Sequence, residues 1–230
     1  MRHSKIIIIY YIYNMDHGHQ LLGEYILQKY DPADLFQRTI IEIGSVREDL
    51  EGQNSTEYFT KLCMKYNMNL ISVDIDKYCS ENAVRIFKKY NFKNGLAITQ
   101  DGEKYIKTLD FFDFIYLDSY DYDHGMHDPK RQVSYQIEFG KDINNKDCHQ
   151  HHLNMVQSLN SIAEQSKIGD NIICFDDIIS TDVGKGVTAI PYLFNNNWIL
   201  IKSKNRAGLF KLAEIDCDGE FGDYLQKGEL

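Results

Sequence analysis

Apolar runs rich in β-branched residues alternate with amphipathic stretches along most of the chain. Thr39-Ile40-Ile41-Glu42-Ile43-Gly44 reads as a buried strand, and Asn69-Leu70-Ile71-Ser72-Val73-Asp74 as a second. Gly95-Leu96-Ala97-Ile98-Thr99 reads as a third, Phe112 to Asp118 as a fourth and Asn171 to Asp176 as a fifth. Between them, helical periodicity runs from Thr56 to Tyr66 behind an Asn54 or Ser55 cap, from Ser80 to Tyr90, and from Leu153 to Lys167. A further helix is expected over Val187 to Phe194, then closing strands Trp198 to Lys202 and Gly208 to Leu212. Strands alternating with helices imply an α/β fold, a Rossmann-like seven-stranded, mostly parallel sheet with helices on both faces. No proline interrupts a proposed strand or long helix interior.

Two stretches break the alternation. Lys5 to Tyr13 is strongly apolar but far short of the ~20 residues of a spanning helix, and no small-residue cleavage site follows it. It is expected to be a buried or interface strand in an N-terminal extension, residues 1–38, packed on the main domain of residues 39–230. The other stretch, about 119–148, is long, polar and aperiodic, as functional lids are. Asp118, Asp121, Asp123, His124, His127 and Asp128 crowd its start, just past the fourth strand.

Composition narrows the class. The chain has 230 residues, 43% of them hydrophobic and 26% charged, enough for one α/β domain with a substantial core. A net charge of −9 argues against broad electrostatic binding of nucleic acid. No membrane partner is expected. The five cysteines are odd in number and form no CxxC pair, which fits a reduced, cytoplasmic setting.

Ligands of open α/β sheets bind beyond the carboxyl ends of the strands. Five successive strand ends carry an acid: Glu42-Ile43-Gly44-Ser45, Asp74-Ile75-Asp76, Gln100-Asp101-Gly102, Asp118 and Asp176-Asp177. Two or three such endings are ordinary, whereas five in succession point to a site. The chain has neither GxGxxG nor GxxxxGK[ST], so no P-loop holds a triphosphate.

Taken in order, these motifs resemble those of the class I S-adenosylmethionine-dependent methyltransferases, over roughly residues 39 to 213. Tyr116-Leu117-Asp118-Ser119-Tyr120-Asp121 with Phe175-Asp176-Asp177 resembles the cation-dependent O-methyltransferases. His151-His152-Leu153 and Gly184-Lys185-Gly186, with Pro191-Tyr192-Leu193, are similar to small bacterial methyltransferases of glycan and natural-product pathways. The resemblance implies S-adenosylmethionine as cofactor, with Glu42, Gly44 and Ser45 toward the methionine and sulfonium end. It places Asp74 at the ribose hydroxyls and Asp101 and Gly102 at the adenine. It also implies a divalent cation, magnesium or manganese, held by Asp118, Asp176 and Asp177. Two departures stand out: the loop Val46 to Gln53 displaces the second glycine of the first motif, and Asp176-Asp177 stands where catechol-type enzymes have Asp-Asn.

All-oxygen ligands select hard cations, and a cation would relieve the repulsion of adjacent carboxylates. A metal would also acidify an acceptor hydroxyl. The bland alternative for Asp176-Asp177 is a solvated strand exit or helix cap. Asp121 and His124 are the candidate acceptors of the substrate's proton, His124 by its ordinary pKa; surface solvation is the competing reading of each histidine. His149 and His152, three apart, would share a helix face, a spacing that permits a soft-metal site.

The expectation is therefore metal-assisted O-methylation of a small molecule or sugar, with the long polar stretch closing over the acceptor. The rivals are an Asp/His metallohydrolase using Asp118, Asp121, His124 and His127, and a non-catalytic nucleotide-binding domain. Monomer and homo-oligomer both stay open.

Overall fold

The computed structural model describes residues 17–46, 54–120, 132–166, 169–178, 183–204 and 206–213. The apolar run Lys5 to Tyr13, most of the loop after Val46, and Asp121, Asp123, His124, His127 and Asp128 lie outside them.

Seven strands form one sheet: β1 Thr39–Ile43, β2 Asn69–Asp74, β3 Gly95–Thr99, β4 Phe114–Leu117, β5 Ile172–Phe175, β6 Trp198–Lys204 and β7 Ala207–Leu212. Their order is β3-β2-β1-β4-β5-β7-β6. The first five are mutually parallel, while β7 lies antiparallel to both β5 and β6. The helices are α1 Gly18–Lys29, α2 Ser55–Tyr66, α3 Lys77–Lys89, α4 Gly102–Ile106, α5 Gln132–Phe139, α6 Asn145–Gln165 and α7 Ala189–Asn195.

Strands β4 and β5 are apolar and buried at every position because both faces are covered. On β4 and β5, Phe114, Tyr116, Ile172 and Cys174 join one core with Leu21, Leu22 and Ile26 of α1, Phe59 of α2 and Phe87 of α3. The alternate residues Ile115, Leu117, Ile173 and Phe175 join a second core with Ile106 of α4, Met155 and Leu159 of α6 and Leu193 of α7. A third, small cluster of Tyr120, Tyr135, Ile143 and Cys148 sits beside Ile75 at the carboxyl end of the sheet. No helix among the described residues is long and apolar enough to cross a membrane.

The caps set several boundaries. Asn54 accepts the backbone N–H of Glu57 at 2.8 Å and starts α2 where the sequence places it. Asp76 accepts from Tyr78 N at 2.8 Å, so α3 starts at Lys77 rather than Ser80. Asn144 accepts from Asp147 N at 3.1 Å, so α6 starts at Asn145 rather than Leu153. Helices α1, α4 and α5 were not expected.

Candidate functional site

The exits of β1 and β2 are joined by a network of neutral donors. Glu42 of β1 is wholly buried. Its carboxyl accepts from Ser55 Oγ at 2.5 Å, Thr56 Oγ1 at 2.8 Å and Ser72 Oγ at 2.5 Å. Burial pushes its pKa up to about 7, against the pull of those three hydroxyls and with a further push from Asp74. Glu42 therefore lies beneath the strand exit and reaches the site through the hydroxyls it holds. Because Ser72 donates to Glu42, Ser45 Oγ donates to Ser72 Oγ, at 2.7 Å.

The chain turns at Gly44, where φ is 98°. A Cβ there would stand 2.6 Å from the carbonyl oxygen of Asp118, so the glycine also lets the exits of β1 and β4 touch. Beyond the turn, Ser45 N–H donates to Asp74 Oδ2 at 2.8 Å, and Asp76 N–H donates to Asp74 Oδ1 at 2.8 Å. The Asp74 carboxylate is thus fixed in direction.

Asp101 caps α4, accepting Lys104 N–H at 2.9 Å, and its other oxygen accepts Tyr120 Oη–H at 3.2 Å. Gly102, the first residue of that helix, packs against Ile43. Tyr120 is stacked on Tyr135 with ring centroids 5.2 Å apart and meets His151 edge-on at 3.8 Å. Burial, then Asp101, pushes its phenol pKa up. The edge that the resemblance assigns to adenine is thus lined by Ile75, Asp101 and Tyr120.

The exits of β4 and β5 are held by charge. The strands are paired at Leu117 and Phe175, and Asp176 N–H donates to Leu117 O at 3.1 Å, which sets Asp118 and Asp176 side by side. Tyr116, buried on β4, donates to Asp176 Oδ2 at 2.5 Å and lies 3.3 Å from Asp118 Oδ2. Asp176 Oδ1 accepts Asp177 N–H at 2.9 Å. The chain then bridges Ile178 to Gly184 and returns Lys185, whose N–H donates to Asp177 O at 3.1 Å.

The Lys185 side chain is 1% exposed. Its ammonium lies 2.5 Å from Asp118 Oδ1, 3.3 Å from Asp118 O and 3.2 Å from Asp177 Oδ2. Arg206 holds the other oxygen of Asp177 at 3.0 Å. Burial raises the pKa of Asp118 to about 7; Lys185 pulls against it, and Asp176 and Asp177 add to the rise. About a third of the Asp118 side chain is exposed, so solvent and ligand reach it. Helix α1 closes the far side: a Cβ on Gly18 would lie 3.0 Å from Asp176 Cγ and 3.1 Å from Tyr116.

The three acids expected to bind magnesium or manganese do converge, but the site does not fit a divalent cation. The position between Asp118 and Asp177 belongs to an ammonium, and Tyr116 hydrogen-bonds Asp176. A divalent ion on the same oxygens would stand against a buried positive charge. Among the described residues no group of three or more His, Cys, Asp or Glu is arranged to hold a metal. His149 and His152, the soft-metal pair, belong to no such group among the described residues; His149 Nε2 donates to Gly184 O at 3.0 Å, and His152 Nδ1 to Cys148 O at 2.8 Å. His152 is fully buried, and burial, then its neighbours His151 and Lys185, hold its pKa well below the ordinary value. Burial and Lys107 lower that of His151 to about 3. Both are neutral imidazoles. Asp121 and His124 lie outside the described residues.

Lys185, within Gly184-Lys185-Gly186, is a site residue without an expected role. The signal available was a single lysine between glycines, eight positions beyond Asp177.

No family model matches the chain, and no curated protein sequence matches it significantly. Solved structures do. WbdD bound to a kinase inhibitor superposes with a TM-score of 0.51 at 11% identity, over 84% of this chain and 40% of that one. The structure of WbdD described as a bifunctional kinase-methyltransferase gives 0.50 at 11% identity, over 84% and 39%. This chain thus spans about two fifths of WbdD. The methyltransferase PaMTH1 of Podospora anserina, bound to SAH, gives 0.49 at 12% identity, over 93% and 97%. The chain has the Rossmann-like α/β fold of methyltransferases, with the sheet mostly parallel and closed by an antiparallel hairpin.

Proposed function

We propose that this chain is an S-adenosylmethionine-dependent methyltransferase that methylates an oxygen of a small molecule or sugar. The observation that carries the reading is Asp74. It ends the second strand of a sheet with this order, beside the glycine turn of the first, and two backbone N–H groups fix its carboxylate. A pair of ribose hydroxyls would donate to that carboxylate. Bound S-adenosylmethionine would supply a methyl group made electrophilic by the sulfonium.

The protein's own residues supply the rest. Gly44 and Ser45 shape the turn against which the methionine end would rest, and Ile75, Asp101, Gly102 and Tyr120 form the adenine edge. The acceptor enters over the β4 and β5 exits. There Asp118, partly exposed and with a pKa of about 7, is placed to take its proton. Asp121 and His124 remain proposed proton acceptors within the lid-like stretch. The cluster of Tyr135, Phe139 and Ile143 with Ile75 supports a covering role for that stretch.

Calorimetric titration with S-adenosylmethionine and S-adenosylhomocysteine tests the reading. Binding of one equivalent, weakened in Asp74→Ala, is expected. Failure of the folded wild-type chain to bind either ligand would sink it, and would leave the non-catalytic alternative standing.

A further inference from the structure

The acids at the β4 and β5 exits are arranged as a fold of this kind would arrange them for a metal, yet the cation among them is covalently part of the chain. We infer that Lys185 is a resident counter-cation, a positioning residue that takes the place of a divalent ion and keeps such ions out. The inference deepens the proposed function by making the acceptor site metal-independent. It concerns the cation alone, and it stands or falls without S-adenosylmethionine.

Three observations carry it. First, the ammonium has three N–H donors and meets three acceptors, Asp118 Oδ1, Asp118 O and Asp177 Oδ2, on two different strand exits. It thereby bridges β4 to β5, the task of a shared metal ion. Second, Lys185 is buried almost completely, and a buried ammonium persists only when paired. Third, its delivery is built into the backbone. Asp177 takes a left-handed conformation with φ of 55°, the bridge between Ile178 and Gly184 folds the chain back, and Lys185 N–H closes on Asp177 O. A surface lysine that happened to reach an acid would need none of this.

The other groups around the ammonium agree. Arg206 balances the outer oxygen of Asp177, and Tyr116 hydrogen-bonds Asp176. His152, the nearby imidazole on α6, is neutral and adds no competing charge. Removing the lysine alone would leave carboxylates of two strands facing one another, the donor set a hard cation selects.

The test is a Mn2+ titration of the full chain, followed by the electron paramagnetic resonance signal of free Mn2+ and by thermal unfolding. Wild type should show no saturable site. Lys185→Met should gain one saturable Mn2+ site and should be stabilised against heat by the bound ion. The double variant Lys185→Met/Asp118→Asn should lose that binding. Stoichiometric Mn2+ binding by wild type that Asp118→Asn abolishes would overturn the inference, and so would a folded Lys185→Met variant with no gain. If Lys185→Met does not fold, the titrations of wild type and Asp118→Asn decide the matter alone: no saturable site in wild type supports the resident cation, and a site lost in Asp118→Asn refutes it.

Discussion

The two halves of the site both bury carboxylates at strand ends, and they satisfy them differently. At β1 and β2, among the described contacts, Glu42 is met by three hydroxyls and Asp74 by two backbone N–H groups. At β4 and β5, Asp118 and Asp177 are met by an ammonium and a guanidinium. Neutral donors fix direction without adding charge, which suits a surface that must accept hydroxyl donors from a ligand. Fixed cations hold like charges together, and they oppose the rise in proton affinity that burial gives Asp118. Each half also contains a carboxyl with a pKa near 7, Glu42 sealed from water and Asp118 open to it.

The comparison breaks most visibly at Lys185. Lys185→Met should cost about 2–4 kcal/mol of stability at neutral pH, because it takes the buried cation from Asp118, whose partial exposure to water softens the loss, while Arg206 still holds Asp177. Urea unfolding would read this, and a loss under 1 kcal/mol would mean that the charged half does not depend on its cation. Next comes Asp74→Ala, which should weaken S-adenosylmethionine binding by about 2–4 kcal/mol. Unchanged affinity in calorimetry would remove the ribose from Asp74.

Glu42 sharpens the contrast through pH. Folding raises its pKa from 4.5 to about 7, so the folded state holds the proton more tightly than the unfolded chain. Its effect is nil below the unfolded value. Stability then falls as pH rises through the window between those two values, and above it the penalty is complete, about 3 kcal/mol. Glu42→Gln should flatten that fall between pH 4.5 and 8, and a slope identical to wild type would show that Glu42 does not titrate there. Asp118 rises toward the same pKa, so Asp118→Asn in the same series separates the sealed acid from the open one. The smallest effect is expected from Tyr120→Phe, which removes only the bond to Asp101 and should cost about 0.5–1.5 kcal/mol in unfolding.

Strands β4 and β5 were legible because both of their faces are buried, which leaves continuous apolar runs; β1, β2 and the edge strand β3 were read from their β-branched and aliphatic residues. The helices were less so. Over Asn145 to His152, α6 buries Cys148, His151 and His152 against the site, residues that do not read as an apolar stripe. Helix α1 carries two glycines and a short apolar face, and it is held by packing on the sheet and on α2 rather than by its own periodicity. The convergence of Asp118, Asp176 and Asp177 followed from strand order. What neutralises them did not, because Lys185 arrives by a loop whose fold depends on backbone conformation and not on pattern.

That loop also separates length from function. The bridge of Ile178 to Gly184 and the bond from Lys185 N–H to Asp177 O pin the lysine at the base of the excursion. Residues added between Ile178 and Gly184 would leave that bridge and that bond in register. One residue added between Gly184 and Lys185 would swing the ammonium off the acids. The same few positions can therefore drift in size as the acceptor changes while the charge beneath them stays put.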